Sequence, residues 1–522
     1  MEQAFVDDTW KITPKLTLSA GLRYELTPPF TDTVGNLFSI AIPHIYGVSN
    51  APVSQQPYFI RQGNCSNPYT ANPPIPFTWV ATPAVCSNGL ENYQLNKTRY
   101  DDFAPRLSIA YSPDSKTVIR VAYGIFFVQD NANSMYFDLA RNIGVRFTAS
   151  AVTDGTTWGP SSGALTGLPA TWQNAVTPPG AGFGAPYGYV TAYEHHTSYT
   201  EQYLFNVQRQ VGATWVFEAG YLGSESHHLY GFQNANEGIP GTVGTAASRL
   251  PWQDYGFIQL VADGMNAVYN SLAFKVTKRF SHGLDLISSY TFSKSIDDSS
   301  GIRVQGYDTL FPQNSYCLRC ERGLSAFDVR NRWVTSVLYE LPVGRGKLLN
   351  INNRFVNAAV GGWQTGGIVT LQSGVPATLS IGGVDNSQTT STYDRPNATG
   401  APLYVSNPSP AHWYNPAAFV EAAPGTFGNV GRDTMIVPGT FIVNGEVHKE
   451  FHMPRLEKHL IQFRLEAFNV LNHPNWGAPN GNILSGAAIP GQPSTNAHQN
   501  FGVITTTAQS MRQLQLGLKY RF

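Results

Sequence analysis

Charge is scarce in this sequence. Of its 522 residues only 13% are Asp, Glu, Lys or Arg, and 34 basic residues balance 34 acidic ones, whereas soluble globular proteins carry about 25% charged residues. A neutral balance gives no electrostatic reason to expect nucleic acid as a partner. Long hydrophobic runs are also missing, since no stretch approaches 18 uninterrupted apolar residues, and helical membrane spans are thereby excluded. The opening Met1-Glu2-Gln3-Ala4-Phe5-Val6-Asp7-Asp8 has neither a basic nor an apolar region of the kind a signal peptide needs. Cysteine is rare, with four residues in two local pairs, Cys65 with Cys86 and Cys317 with Cys320, all in Pro/Asn/Gly-rich stretches. In an oxidising compartment they read as disulfides, with free thiols as the alternative. The Cys317-Leu318-Arg319-Cys320 spacing lacks the second CxxC or the His pair that zinc would require.

Catalytic signatures are missing too. There is no P-loop, no HExxH, no GxSxG between strand and helix and no GxGxxG opening a helix. Asp7-Asp8, Asp101-Asp102 and Asp297-Asp298 are paired carboxylates at expected strand edges, where solvated rim charges or calcium ligands fit better than a glycosidase pair. The expectation is a protein that is not an enzyme and holds no cofactor.

What the chain does contain is 49 Gly, 35 Pro and 12% aromatic residues, against both a helical protein and disorder. Alternation with period 2 recurs throughout. At the C-terminus Leu514, Leu516, Leu518, Tyr520 and Phe522 alternate with Gln513, Gln515, Gly517, Lys519 and Arg521; Ile461, Phe463, Leu465 and Ala467 alternate with Gln462, Arg464 and Glu466. The same holds near 16–26 and 268–281. These strands run to ten residues and more, the length a tilted strand needs to cross a bilayer, whereas sandwich strands are typically about five or six.

About thirteen strands are predicted, at 3–12, 16–26, 103–112, 116–130, 197–210, 214–230, 267–280, 284–298, 327–341, 362–375, 438–452, 459–472 and 510–522. Tight turns at Thr13-Pro14-Lys15, Ser112–Ser115, Val211-Gly212-Ala213 and Ser281-His282-Gly283, and somewhat longer ones near 342–361 and 453–458, alternate with long segments at 27–102, 131–196, 232–265, 299–326, 376–437 and 473–509. Such alternation is that of an antiparallel transmembrane β-barrel, with short periplasmic turns and long extracellular loops. Bacterial single-chain barrels have even strand numbers. An odd count therefore implies that residues 1–522 are one partial barrel domain.

Several blocks also resemble a known family. Phe5-Val6-Asp7-Asp8-Thr9-Trp10-Lys11-Ile12-Thr13-Pro14-Lys15-Leu16-Thr17-Leu18 and the following Ser19–Glu25 are similar to a strand–turn–strand signature of TonB-dependent receptors, more narrowly of the Oar-like group. Phe103–Tyr111, Arg464–His473 and Leu518–Phe522 resemble it as well. The resemblance implies a 22-stranded outer-membrane barrel filled by a plug, with loops that capture a ligand and an inner-membrane TonB complex that acts through the plug and an N-terminal box. Plug, box, regulatory-like N-terminal domain and signal peptide are not read in this sequence. It further implies that Leu516, Leu518, Tyr520 and Phe522 form the signal read by the barrel assembly machinery. Trp215, Trp333, Trp363, Tyr24, Tyr111 and Tyr290 are candidate girdle residues facing outer-membrane lipid.

Ligand contact is expected from loops 27–102, 131–196 and 376–437, and a polar lumen from Arg23, Lys275, Arg279, Arg464, Glu466, Lys519 and Arg521. One histidine constellation stands out. Pairing about Gly212 sets His196 opposite His228 and Tyr203 opposite Tyr221, with both histidines facing the lumen near Glu194. Imidazoles about 5 Å apart across strands can share a divalent metal, while an ordinary polar lining is the alternative. The functional expectation is an outer-membrane receptor barrel for ligand capture and uptake. Alternatives are a non-transporting surface adhesin and, third, a secreted polysaccharide-binding β-sandwich.

Overall fold

The computed structural model describes residues 2–29, 38–41, 58–61, 85–86, 97–128, 188–191, 196–253, 256–301, 306–453 and 456–522. Thirteen long strands form one antiparallel meander, each hydrogen-bonded to the next in chain order. They are β1 (Glu2–Thr13), β2 (Leu16–Leu26), β3 (Phe103–Asp114), β4 (Thr117–Phe127), β5 (Tyr199–Val211), β6 (Trp215–Asn234) and β7 (Ile258–Ser281), followed by β8 (Leu284–Asp297), β9 (Asn331–Glu340), β10 (Trp363–Gln372), β11 (Thr440–Met453), β12 (Leu456–Phe468) and β13 (Gln513–Arg521). Each coincides with a predicted strand, with β6 and β7 extending further. Among the described residues β1 pairs only with β2, and β13 only with β12. The sheet is therefore a barrel wall with two open edges.

The pairing register shows how the wall tilts. Leu16, Tyr111, Ile119, Val207, Ala219, Phe274, Tyr290, Trp333, Leu371 and Phe441 are successive cross-strand partners from β2 to β11. Every member is apolar or aromatic, as expected of one face offered to lipid. Leu16 begins β2 beside its tight turn, whereas Phe441 is the second residue of β11, at the end far from its turn. The row thus climbs from the turn end to the loop end, which is the stagger a closed barrel needs.

On the opposite face polar side chains bind one another. Arg23 meets Glu25 at 2.8 Å, Asn206 donates to Glu218 at 3.0 Å, and Arg464 contacts Glu446 at 2.7 Å and Glu466 at 3.4 Å. Lys275 lies opposite Glu218 in the ladder. Lys278 and Lys449 fall on the apolar face instead, and both reach to its turn end. Lys278 donates to the Ser281 and Leu284 carbonyls at 2.8 Å near the Trp215 ring, and Lys449 donates to Ala358 and Ala359 beside Trp363 and Phe451. An ammonium on a long stem can leave hydrocarbon in this way.

Ala358 and Ala359 belong to helix α1 (Arg354–Val360), which falls within the connection expected near 342–361. Asn353 caps it by accepting from the Phe355 and Val356 amides. Among the described residues no helix is long and apolar enough to cross a membrane.

Among the described residues the larger hydrophobic core lies outside the sheet, at its loop end. Segments 376–437 and 473–509 pack together around Leu379, Ile381, Tyr414, Phe419, Met435, Ile483 and Phe501. Ser380 bridges to Asn482, and Val420 to Asn496. A second cluster, Phe232, Val261 and Phe311, joins the extended β6–β7 hairpin to segment 299–326. The long Gly/Pro/Asn/Ser-rich segments here form a folded cap. Its close backbone contacts explain part of the glycine: a Cβ on Gly428 would lie 1.9 Å from the Arg395 carbonyl oxygen.

Candidate functional site

Several of the chain's few charges are buried inside this cap. Arg432, 4% exposed, contacts Asp297, Asp308 at 2.7 Å and Asp433 at 2.9 Å, and donates to the Glu321 carbonyl at 2.8 Å. Arg395 pairs with both Glu321 oxygens at 2.6 and 3.0 Å and donates to the Val430 carbonyl. The two guanidinium groups thereby tie segments 299–326 and 376–437 to the end of β8. Three carboxylates face one guanidinium at Arg432, so burial and the neighbouring Asp308 charge push Asp433 up to about 7.

Glu237, just beyond β6, is buried and accepts the Ser315 amide at 2.6 Å through Oε2, while Oε1 has no partner among the described residues. Burial pushes its carboxyl up to about 7. Asp394 is likewise pushed up by burial, to about 6. The expectation of solvated rim charges fails at one member of each of two Asp pairs, Asp102 and Asp297, while Asp101 is exposed. Asp297 is buried against Arg432, and Asp102 is buried with a hydrogen bond from Thr197 at 2.8 Å. Asp7 and Asp8 are exposed on β1. Solvation is lost at Asp297 because a folded cap covers that strand end.

The histidine constellation forms by a different register from the expected one. The turn occupies Gly212–Thr214, so pairing is centred on Ala213 and Tyr203 opposes Gly223, with Phe205 opposite Tyr221. An even displacement keeps every side chain on its expected face. Gly223 suits this arrangement, since the Tyr203 ring lies where its Cβ would be. Continued regularly, the ladder would set His228 opposite Ser198; against β7, β6 bulges between Ser226 and Leu229, and His228 takes a left-handed φ of 55°. The His196 and His228 rings stack with centroids 4.4 Å apart. Asp263 of β7 joins them, accepting from the His196 amide at 2.6 Å and lying 3.0 Å from its Nδ1. Glu194 and His195 lie outside the described residues.

Cys317 and Cys320 are disulfide-bonded at the short helical turn Leu318–Glu321. Cys65 lies outside the described residues, and Cys86 ends the short strand Val85–Cys86. Leu516, Leu518 and Tyr520 are exposed along one face of β13, and the Tyr520 ring is 5.8 Å from that of Phe522. Of the expected ligand loops, 376–437 is fully described, whereas most of 27–102 and 131–196 lies outside the described residues. Asp263, Arg395 and Arg432 were not singled out from sequence. Isolated arginines within long Gly/Pro/Asn-rich segments of a charge-poor chain were the available signal.

An antiparallel meander with one apolar and one polar face, tight turns at one end and folded connections at the other, is the wall of a transmembrane β-barrel. The chain belongs to the outer membrane beta barrel domain family, which matches residues 1–515. No curated protein matches it. Similar solved structures include the outer membrane transporter YddB from Escherichia coli, 10% identical with a TM-score of 0.41, covering 90% of this chain and 41% of that one. The ferripyoverdine receptor of the outer membrane of Pseudomonas aeruginosa is 9% identical with a TM-score of 0.41, covering 100% and 38%. The ferric-catecholate import receptor Fiu from K12 E. coli is 9% identical with a TM-score of 0.39, covering 99% and 44%. The chain spans less than half the length of each.

Proposed function

We propose that this chain is the membrane-embedded part of an Oar-like TonB-dependent receptor that captures a ligand at the cell surface for uptake. The observation that carries this reading is the asymmetry of the barrel wall, with tight turns at one end and a folded cap with its own core at the other. In this reading the turns are periplasmic, the cap is extracellular, and the charged face of the sheet borders a lumen. The open edges at β1 and β13 call for further strands, since lipid does not tolerate unpaired backbone groups. Energy coupling would pass through a plug in that larger barrel, and assembly machinery would read the end of β13. The cap also suits a non-transporting adhesin, because it offers a folded surface at the same end.

Topology tests the shared core of both readings. In cells that produce the protein, Thr426→Cys in the cap should react with a membrane-impermeant maleimide above the parental background. Ala213→Cys in the β5–β6 turn should react only after the outer membrane is opened. The reverse pattern would refute this orientation. Ligand-dependent uptake that stops when the inner-membrane energy source is removed separates receptor from adhesin.

A further inference from the structure

Three metal-ligating side chains that the receptor reading does not use meet at the loop end of β5, β6 and β7. His196 lies three residues before the first residue of β5, His228 sits on the β6 bulge, and Asp263 lies on β7 at the matching irregularity, where pairing passes from Leu229–Met265 to Gly231–Ala262. One ligand atom from each lies within 4.8 Å of the others. His196 has 49% of its side chain exposed and Asp263 21%, so solvent reaches the group. Ser198 Oγ donates to the His228 carbonyl at 2.6 Å and holds the bulge against the start of β5.

We propose that His196, His228 and Asp263 bind one first-row divalent transition-metal ion through two imidazole nitrogens and one carboxylate oxygen, with the remaining positions open to water. Imidazole suits zinc, copper, nickel and iron, and a single carboxylate keeps the set borderline and thus discriminates against calcium and magnesium, which prefer oxygen alone. Ligand bonds of about 2.0–2.1 Å place donor atoms about 3.3 Å apart around a tetrahedral ion. Closing from the observed spacing takes rotation of the two rings out of their stack, which exposed His196 can accommodate. The ion displaces the contact now linking the His196 ring to Asp263. Two adjacent strands supply His228 and Asp263 and the segment leading into β5 supplies His196, and the bulge at His228 is what turns its ring toward the partner. The site does not depend on whether the barrel transports or adheres. A stacked histidine pair with a simple carboxylate acceptor is the competing account, and it predicts no binding.

The test uses the full chain in detergent, stripped with chelator and titrated with Co²⁺, whose visible absorption reports imidazole and carboxylate coordination. One Co²⁺ per chain is expected, displaced by Zn²⁺. His196→Ala combined with His228→Asn should abolish this signal; Asn is chosen because it tolerates the left-handed backbone at 228. Asp263→Asn should weaken binding at least tenfold. The single variant His196→Gln, outside the strands and exposed, should also weaken it at least tenfold, which keeps the test open if the double variant fails to fold. His498→Ala, removing a ring held by the Gly486 and Ser494 carbonyls in the cap, should leave it unchanged. A parent that binds no Co²⁺, or a His196→Gln variant with parental affinity, overturns the proposal.

Discussion

A carboxyl group buried without a cation responds to pH in a defined direction. Burial pushes Glu237 up to about 7 from 4.5, so between those values the folded cap retains a proton that the unfolded chain has released. The resulting stability is complete below about pH 4.5 and is lost as pH rises through about 7. Going from pH 8 to pH 6 should stabilise the region around Glu237 by roughly 1 kcal/mol. Amide hydrogen exchange, corrected for its intrinsic pH dependence, would show this as slower opening. Glu237→Gln should reduce the pH effect by that amount and protect the region at pH 8; an unchanged pH dependence would count against the assignment. Arg432 presents the opposite case, a cation among carboxylates. Arg432→Ala leaves Asp297, Asp308 and Asp433 buried without it, a change that typically costs about 3–5 kcal/mol. Limited proteolysis should then cut within 376–437 at protease concentrations the parent resists. Neither residue could be assigned this role from sequence, because Glu237 meets Ser315 across 78 positions and Arg432 meets Asp297 across 135.

At the scale of strands and turns, period-2 alternation was enough to locate all thirteen members of the meander, since lipid on one face and water or polar partners on the other constrain every second residue. The β5–β6 register was not legible to better than two residues. Alternation repeats every second position, so a displacement of two leaves the pattern intact; the turn length and the Tyr203–Gly223 contact decide between the options. The bulge at Ser226–Leu229 was hidden for a related reason, because an irregularity in backbone pairing leaves no distinct mark on apolar spacing. For β13, the exposed row Leu516, Leu518 and Tyr520 leads to Phe522. If this strand end is the assembly signal, Tyr520→Ala with Phe522→Ala should lower the heat-modifiable, membrane-inserted fraction several-fold at equal synthesis. Equal insertion of variant and parent would remove that role.

At the scale of the whole molecule there are two structures joined end to end, one organised by the membrane and one by a core of its own. They should respond separately to damage. Replacing 473–509 by a short turn removes Ile483, Ala497 and Phe501 from the cap core, and loss of several fully buried side chains costs about 2–5 kcal/mol for each large one. The remaining cap segment 376–437 should become protease-sensitive, while heat-modifiable migration of the sheet persists. Loss of both together would show that cap and wall fold as one unit.

The sequence by itself determined the class of fold, the places of the strands, the face each side chain takes and which connections are short. These are local properties, set by a two-residue repeat and by the surroundings of each face. Only the tertiary structure decided that long, polar, glycine-rich segments close on a hydrophobic core, that scarce charges are spent in buried Arg–carboxylate contacts, and that Asp263 stands beside His196 and His228. Each of these requires residues far apart in the chain to meet, and no local period records such a meeting.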